Sequence, residues 1–171
     1  MFVISVYGRA GQGVDSALAV LAKSAVATQL YAQSIFFPSQ ERRGPAGFGQ
    51  VKIDKNSMLS KQVEDYDMAL VLDSSLDIKN ILGSGKERSA VITNSSEKFV
   101  SPLLKKKKMK SYFLNASDIA LRTAAKPMPN MAVLGAFVKL YPKISLKSVR
   151  SFVEHNKDHL TALEEGYKAV R

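Results

Sequence analysis

The sequence predicts an α/β fold, with a mostly parallel sheet flanked by helices and a helical C-terminal part. Three observations predict it. Short apolar runs rich in β-branched residues recur along the chain, and several stay apolar at consecutive positions, as strands buried on both faces do. Helical patterns separate some of these runs. The first run ends in a glycine-rich turn that opens into an amphipathic helix, so the chain begins strand, turn, helix. With 171 residues, the chain fits about one domain, and residues 1–171 read as a single unit.

The elements follow in order. Phe2–Tyr7 is a buried strand that meets a turn at Gly8. Val14, Leu18, Leu21 and Ala25 recur at spacings of four, three and four, placing one apolar face along a helix. Tyr31–Phe37 is a second strand, and PSQERRGPAGFG after it is a loop long enough to be functional. Phe48–Asp54 alternates: Val51 and Ile53 share one side, Gln50 and Lys52 the other, which predicts a half-exposed strand. Tyr66–Leu72, Ala90–Asn94 and Tyr112–Leu114 are further strands. Helical patterns lie around Leu76–Leu82 and Asp118–Ala125. Asn130–Leu140 is an apolar helix carrying Gly135. Ser145 caps a helix whose apolar face is Val149, Phe152 and Val153. Leu160, Leu163, Tyr167 and Val170 define a final amphipathic helix.

Composition excludes several function classes. Hydrophobic residues are 46% and charged residues 23%, which is globular. There is no cysteine, so disulfide frameworks, thiolate catalysis and cysteine-held zinc or iron–sulfur sites in this chain are excluded. That fits a reducing, cytoplasmic setting. No apolar run reaches the ~20 residues of a membrane span. The opening MFVISVYGRAGQG has no basic leader, so a signal peptide is not expected. The net charge is +10, which suggests an acidic partner, cofactor or surface.

The turn Gly8-Arg9-Ala10-Gly11-Gln12-Gly13 sits between the first strand and helix. Glycines there permit positive φ and close backbone approach, and the helix N-terminus favours anions. The spacing G-x-x-G-x-G is neither the dinucleotide fingerprint nor a P-loop, and Asp15 in the first turn opposes a phosphate. A tight structural turn and an anion site both remain open on spacing alone. His155 and His159 stand four apart on a helix but lack a third metal ligand. Ser16, Ser39 and Asp73 make no hydrolase, because no G-x-S-x-G elbow is present. A self-sufficient catalytic site is not expected.

YGRAGQG followed by VDSALAVLAKSA, then FFPSQERRGPAGFGQVKID, then MPNMAVLGAFVKL, resembles the γ subunit of 2-oxoacid:ferredoxin oxidoreductases. The resemblance covers nearly the whole chain. Its conjunction of G-R-x-G-Q-G, an E-R-R-G loop and a late N-x-A-x-L-G helix is specific. Ala10 stands where the family usually has a second glycine, Asp15 where it has an apolar or small residue, and Pro38-Ser39 where a glycine often precedes E-R-R-G. ERRGP favours the pyruvate and oxoisovalerate type over the aryl-pyruvate branch, which tends to have Q-R-G-G.

The resemblance implies a Rossmann-like domain in a complex that oxidatively decarboxylates a 2-oxoacid to an acyl-CoA and reduces ferredoxin. It implies α, β and δ-type partner subunits, or fused equivalents. Thiamine diphosphate, Mg and iron–sulfur clusters would belong to those partners, CoA would be a co-substrate, and this chain alone would bind none of them. Gly8, Arg9, Gly11, Gln12 and Gly13 would shape the first turn, with a possible cofactor role. Glu41, Arg42, Arg43 and Gly44 would form an interface or CoA loop, since paired guanidiniums suit carboxylates and phosphates. Lys105–Lys108 with Lys110 would attract CoA phosphates, an acidic ferredoxin or nucleic acid, or simply form a solvated loop before Tyr112. The rival readings are a stand-alone nucleotide-binding α/β module and a basic nucleic-acid-binding protein. Neither nucleic acid nor a membrane is the expected partner.

Overall fold

A computed structural model describes residues 1–37, 47–57, 62–124 and 128–171. Its strands are β1 (Phe2–Gly8), β2 (Tyr31–Phe37), β3 (Gly47–Asp54), β4 (Tyr66–Val71), β5 (Gly85–Asn94) and β6 (Lys110–Leu114). Its helices are α1 (Val14–Ala27), α2 (Ile78–Gly83), α3 (Pro102–Lys106), α4 (Ala116–Ala124), α5 (Asn130–Leu140), α6 (Leu146–Arg150) and α7 (Lys157–Ala169). The strands form one sheet in the order β2-β3-β1-β4-β5-β6. β3 runs antiparallel to both of its neighbours, and the pairings β1–β4, β4–β5 and β5–β6 are parallel. The sheet is therefore mostly parallel and Rossmann-like, as expected.

Alternation along the strands feeds two cores. Ile4, Val6, Leu70 and Ile92 point into the larger one with α1, α4, α5, α6 and α7 residues. Val3, Ala69, Val71 and Val91 point to the opposite face, where Ile78, Ile81 and Leu82 of α2 cover them. Apolar residues at successive positions are thus used on both sides, which is what a central parallel strand requires.

Helix α5 is buried from Asn130 to Val138 and lies directly against α7. A Cβ on Gly135 would collide with the Leu163 carbonyl, and one on Gly166 with the Ala132 carbonyl. The two glycines bring main chain against main chain. Surface ion pairs flank the crossing: Arg122 of α4 reaches Glu165 at 3.2 Å, and Arg150 of α6 reaches Glu164 at 3.3 Å.

Two expectations are corrected. β3 is not half-exposed: Gln50 is 2% and Lys52 0% exposed. Residues 62–64 cover its polar side. The Gln50 amide donates to Ser5 Oγ at 3.0 Å and to the Glu64 carbonyl at 2.6 Å, and accepts from Glu64 N at 3.0 Å. Lys52 Nζ donates to the Gln62 carbonyl and pairs with the Glu64 carboxylate at 2.9 Å. Buried polar groups survive when their bonds are made internally. Second, the lysine cluster is not a plain solvated loop. Lys105 and Lys106 lie in α3, begun by Ser101 as N-cap and Pro102 in the first turn. Lys107 Nζ donates to the carbonyls of Leu82, Gly83 and Gly85 at 3.2, 2.5 and 2.7 Å, closing the C-terminal end of α2.

Glycine contacts give the first prediction. Gly135→Ala and Gly166→Ala should each lower stability by about 1–3 kcal/mol through forced helix separation. Gly83→Ala, where a Cβ meets nothing within 4 Å, should be neutral or stabilising by up to about 1 kcal/mol. Melting temperatures of the three variants check the contrast.

Candidate functional site

Strand order reverses beside β1: the chain passes from β1 through α1 to β2 on one side, whereas β4, β5 and β6 extend on the other. Open α/β sheets present their ligand or partner surface at the carboxyl ends of strands flanking such a point. The glycine turn sits there. Gly11 has φ 86° and Gly13 φ 79°, both conformations that favour glycine. Gly8 is needed for space, since a Cβ would meet Val14 Cγ2 at 2.8 Å and Leu72 Cδ1 at 3.2 Å.

Gln12 organises the turn. Its Oε1 accepts from Arg9 N at 2.8 Å, and its Nε2 donates to Asp73 Oδ2 at 3.1 Å. Arg9 Nε pairs with the same carboxylate at 3.2 Å, and Arg9 Nη2 donates to Ser75 Oγ at 2.9 Å. Ser75 donates to Asp73 Oδ1 from its main chain at 2.9 Å and its hydroxyl at 2.6 Å. Burial pushes the Asp73 carboxyl up, but the Ser75 and Gln12 hydrogen bonds and the Arg9 charge outweigh it and hold it below the ordinary carboxylate value.

A second fastener comes from far along the chain. Asn130, 1% exposed, donates from Nδ2 to the Gly13 carbonyl at 3.2 Å and accepts at Oδ1 from Met131 N at 2.9 Å. Its amide occupies the space a Cβ on Gly13 would need. Asn94 does similar work between β4 and α4, donating to the Leu72 carbonyl and to Ser117 Oγ, each at 2.8 Å. The late N-x-A-x-L-G motif thus has a physical sense. Asn130 locks the turn, and Ala132 and Gly135 admit α7.

A cavity of about 320 Å³ opens on the turn, lined by Gly8, Arg9, Gly11, Gly13, Asp15, Phe36 and their neighbours. No side chain caps α1, and Asp15 lies in its first turn. A carboxylate already supplies negative charge to the helix N-terminus, so the cavity is poorly suited to a phosphate. Phe36, 42% exposed, borders it. On the opposite face of the sheet Tyr7 stacks on Phe48 at 5.7 Å and Phe37, 37% exposed, on Phe48 at 4.9 Å. Gly8 pairs with Gly47, and Phe37 with Phe48, so the chain leaves and rejoins the sheet beside the glycine turn on either side of residues 38–46.

The structure places Gly8, Arg9, Gly11, Gln12 and Gly13 in one turn. Glu41, Arg42, Arg43 and Gly44, with Ser39, lie outside the described residues. Asp73, Ser75 and Asn130 complete the turn and were not readable as its partners. Asp73 does carry a signal, since it closes an apolar strand. Among the described residues no group of His, Cys, Asp and Glu is placed to hold a metal, His155 and His159 included. Tyr66 is pushed far above its usual value, first by burial, and its hydroxyl donates to the Ile81 carbonyl at 2.9 Å. The arrangement is built to hold a surface in shape.

Two predictions follow from this geometry. Gly11→Ala meets open space and should cost only the φ strain, about 1–2 kcal/mol. Gly13→Ala must also displace Asn130 and should cost distinctly more. Equal and unchanged melting temperatures would remove the structural role of the turn. Asp73, lowered in the folded chain, contributes stability that is fully present above the ordinary carboxylate value of about 3.9. That stability is lost as pH falls through the lowered folded value. Asp73→Asn should flatten that acid limb in unfolding curves recorded from neutral pH downward.

The sequence matches the pyruvate ferredoxin/flavodoxin oxidoreductase family over residues 3–171. It is 34% identical over 158 residues to the common γ subunit of the pyruvate/ketoisovalerate oxidoreductases of Pyrococcus abyssi, covering 90% of this chain and 85% of that one. The fold superposes on the pyruvate oxidoreductase subunit PorC of Thermotoga maritima with a TM-score of 0.84 and 27% identity, over 99% of this chain and 97% of that one. It also superposes on part of the 2-oxoglutarate:ferredoxin oxidoreductase of Magnetococcus marinus, with a TM-score of 0.77 and 18% identity, over 98% of this chain and 30% of that longer one. A match that spans the glycine turn, the sheet and the α5–α7 crossing alike places this chain in the pyruvate ferredoxin/flavodoxin oxidoreductase family.

Proposed function

We propose that this chain is the γ-type subunit of a thiamine diphosphate-dependent 2-oxoacid:ferredoxin oxidoreductase. In this reading it is a single-domain, cytoplasmic accessory subunit, and α, β and δ-type partners carry the chemistry. The family match over residues 3–171 carries the reading. The chain's own chemistry supports it. With no cysteine, it offers no thiolate to an iron–sulfur cluster. Its described residues form no acidic cluster for a magnesium diphosphate. The described residues do not fit those groups, and no step of the reaction is routed through them. In this reading thiamine diphosphate, Mg and the clusters belong to the partners, ferredoxin is reached through the complex, and CoA enters as co-substrate.

What this chain contributes is a shaped edge. The glycine turn is fixed by Asp73 and Asn130, and exposed Phe36 stands beside it, with Phe37 on the other face of β2. Apolar aromatic surface next to cations is the composition of a docking face. Arg42 and Arg43 would supply those cations to a carboxylate or carbonyl of a neighbouring subunit, or to CoA. The described helices contain none long and apolar enough to cross a membrane.

One reconstitution tests both parts. The isolated chain, given pyruvate or another 2-oxoacid, CoA and a dye acceptor, should show no turnover. Co-expressed with its partners, it should elute in a large brown complex that turns over the acid. Arg42→Ala/Arg43→Ala should keep its melting curve but weaken assembly, or raise the CoA requirement, by about 2–5 kcal/mol equivalent. Oxidation of the acid by the isolated chain would overturn the accessory role. Wild-type assembly and CoA dependence in the double variant would remove the loop from the interface.

A further inference from the structure

At the far edge of the sheet from β2, a groove of about 650 Å³ runs between α3, β6 and the segment before α3. Lys98, Lys105, Lys108 and Lys110 line it, and no acidic residue does. None of the four has a carboxylate within ion-pair distance among the described residues. The fifth lysine of the cluster explains their presentation. Lys107 folds the other way, onto the carbonyls of Leu82 and Gly83 at the end of α2 and of Gly85 at the start of β5, and Lys108 then turns the chain with φ 54°. One cation is spent anchoring the segment, so its neighbours are held on an ordered wall. The floor is apolar, with Phe99, Leu104 and Met109 packed into the adjoining core.

We propose that this groove docks an acidic polypeptide segment of a partner protein. Charge complementarity is the first ground: unopposed lysines on one wall attract and steer carboxylates. The strand edge is the second. Phe113 exchanges both main-chain bonds with Arg171, at 3.0 and 3.1 Å. By the two-residue period of a strand, Ser111 presents its N–H and C=O to the same outer side, within the groove. A polypeptide offers both a main-chain donor and acceptor to that position and carboxylates to the lysines. Free phosphate is less well served: the groove has no arginine fork, and α3 begins with Pro102 and is already capped by Ser101. Nucleic acid would want an open aromatic platform, whereas Phe99 and Tyr112 are packed against the two cores. The inference stands on this edge alone and does not rest on the proposed subunit role.

The test uses the full chain and a fluorescein-labelled peptide of about ten glutamates, read by anisotropy at low salt and again near 0.1 M, where exposed charges are screened beyond about 10 Å. Binding should weaken with salt. Lys105→Gln/Lys108→Gln/Lys110→Gln should weaken it by about tenfold, the sum of three surface pairs. Lys23→Gln/Lys139→Gln/Lys168→Gln removes the same charge from exposed sites elsewhere and should leave it nearly unchanged. Zero-length carbodiimide cross-linking to the wild-type chain should map to Lys98, Lys105, Lys108 and Lys110. Equal loss in the two triple variants, cross-links scattered over other lysines, no binding, or tighter binding of a thymidine ten-mer than of the peptide would each overturn the proposal.

Discussion

The carboxyl edge of the sheet depends on one buried amide. Asn130 opens α5, bonds its own first turn, and donates to the Gly13 carbonyl at the start of α1. Two helix beginnings that are 117 residues apart in sequence therefore share a fixed distance. The left-handed turn at Gly11 and Gly13 has local bonds between Arg9 and Gln12, main chain to main chain and side chain to main chain. It is over-determined from outside, by Asn130 on one side and by the Asp73 carboxylate on the other, which is how strained backbone persists in a folded protein. An amide left without its partner in such a place keeps its desolvation cost and gains nothing.

The central strands β1, β4 and β5 were legible because burial on both faces leaves mostly apolar residues at consecutive positions. α5 was legible to its boundaries, since a helix enclosed on all sides is apolar on all sides. β3 misled for the complementary reason. Gln50 and Lys52 read as a solvent face because their partners, in residues 62–64, lie beyond the window in which periodicity speaks. The glycine turn was visible as a motif, but its fasteners Asp73, Ser75 and Asn130 are contacts between distant segments, and no local pattern marks such pairs. Lys107 is the clearest instance. Within a run of identical side chains, only the geometry of α2 decides which one leaves the solvent.

The molecule sorts its charges by task. Lys52 and Lys107 are committed to main-chain carbonyls and half-exposed Arg9 to Asp73 and Ser75, and these bonds shape loops where helices and strands end. Arg122 and Arg150 lie on helix surfaces and tie α4 and α6 to α7, contacts that are individually weak in water. The other lysines around α3, Lys98, Lys105, Lys108 and Lys110, have neither assignment among the described residues. A net charge of +10 is thus not spread as a uniform coat, and what it can attract depends on where the internal acceptors run out.

The α5–α7 crossing has a consequence for motion. Main chain rests on main chain there, with no side chain between to act as a spring. Amides in that contact become reachable by water only when the helix pair separates, so their opening energy approaches that of the whole molecule. The carboxyl edge of β2 is different: it is the outermost strand, with phenylalanine rings half in water. Local stability therefore grades downward from the helix pair to that edge. A rearrangement of the edge on contact with another surface stays within its own cooperative unit, and the glycine crossing behind it remains closed.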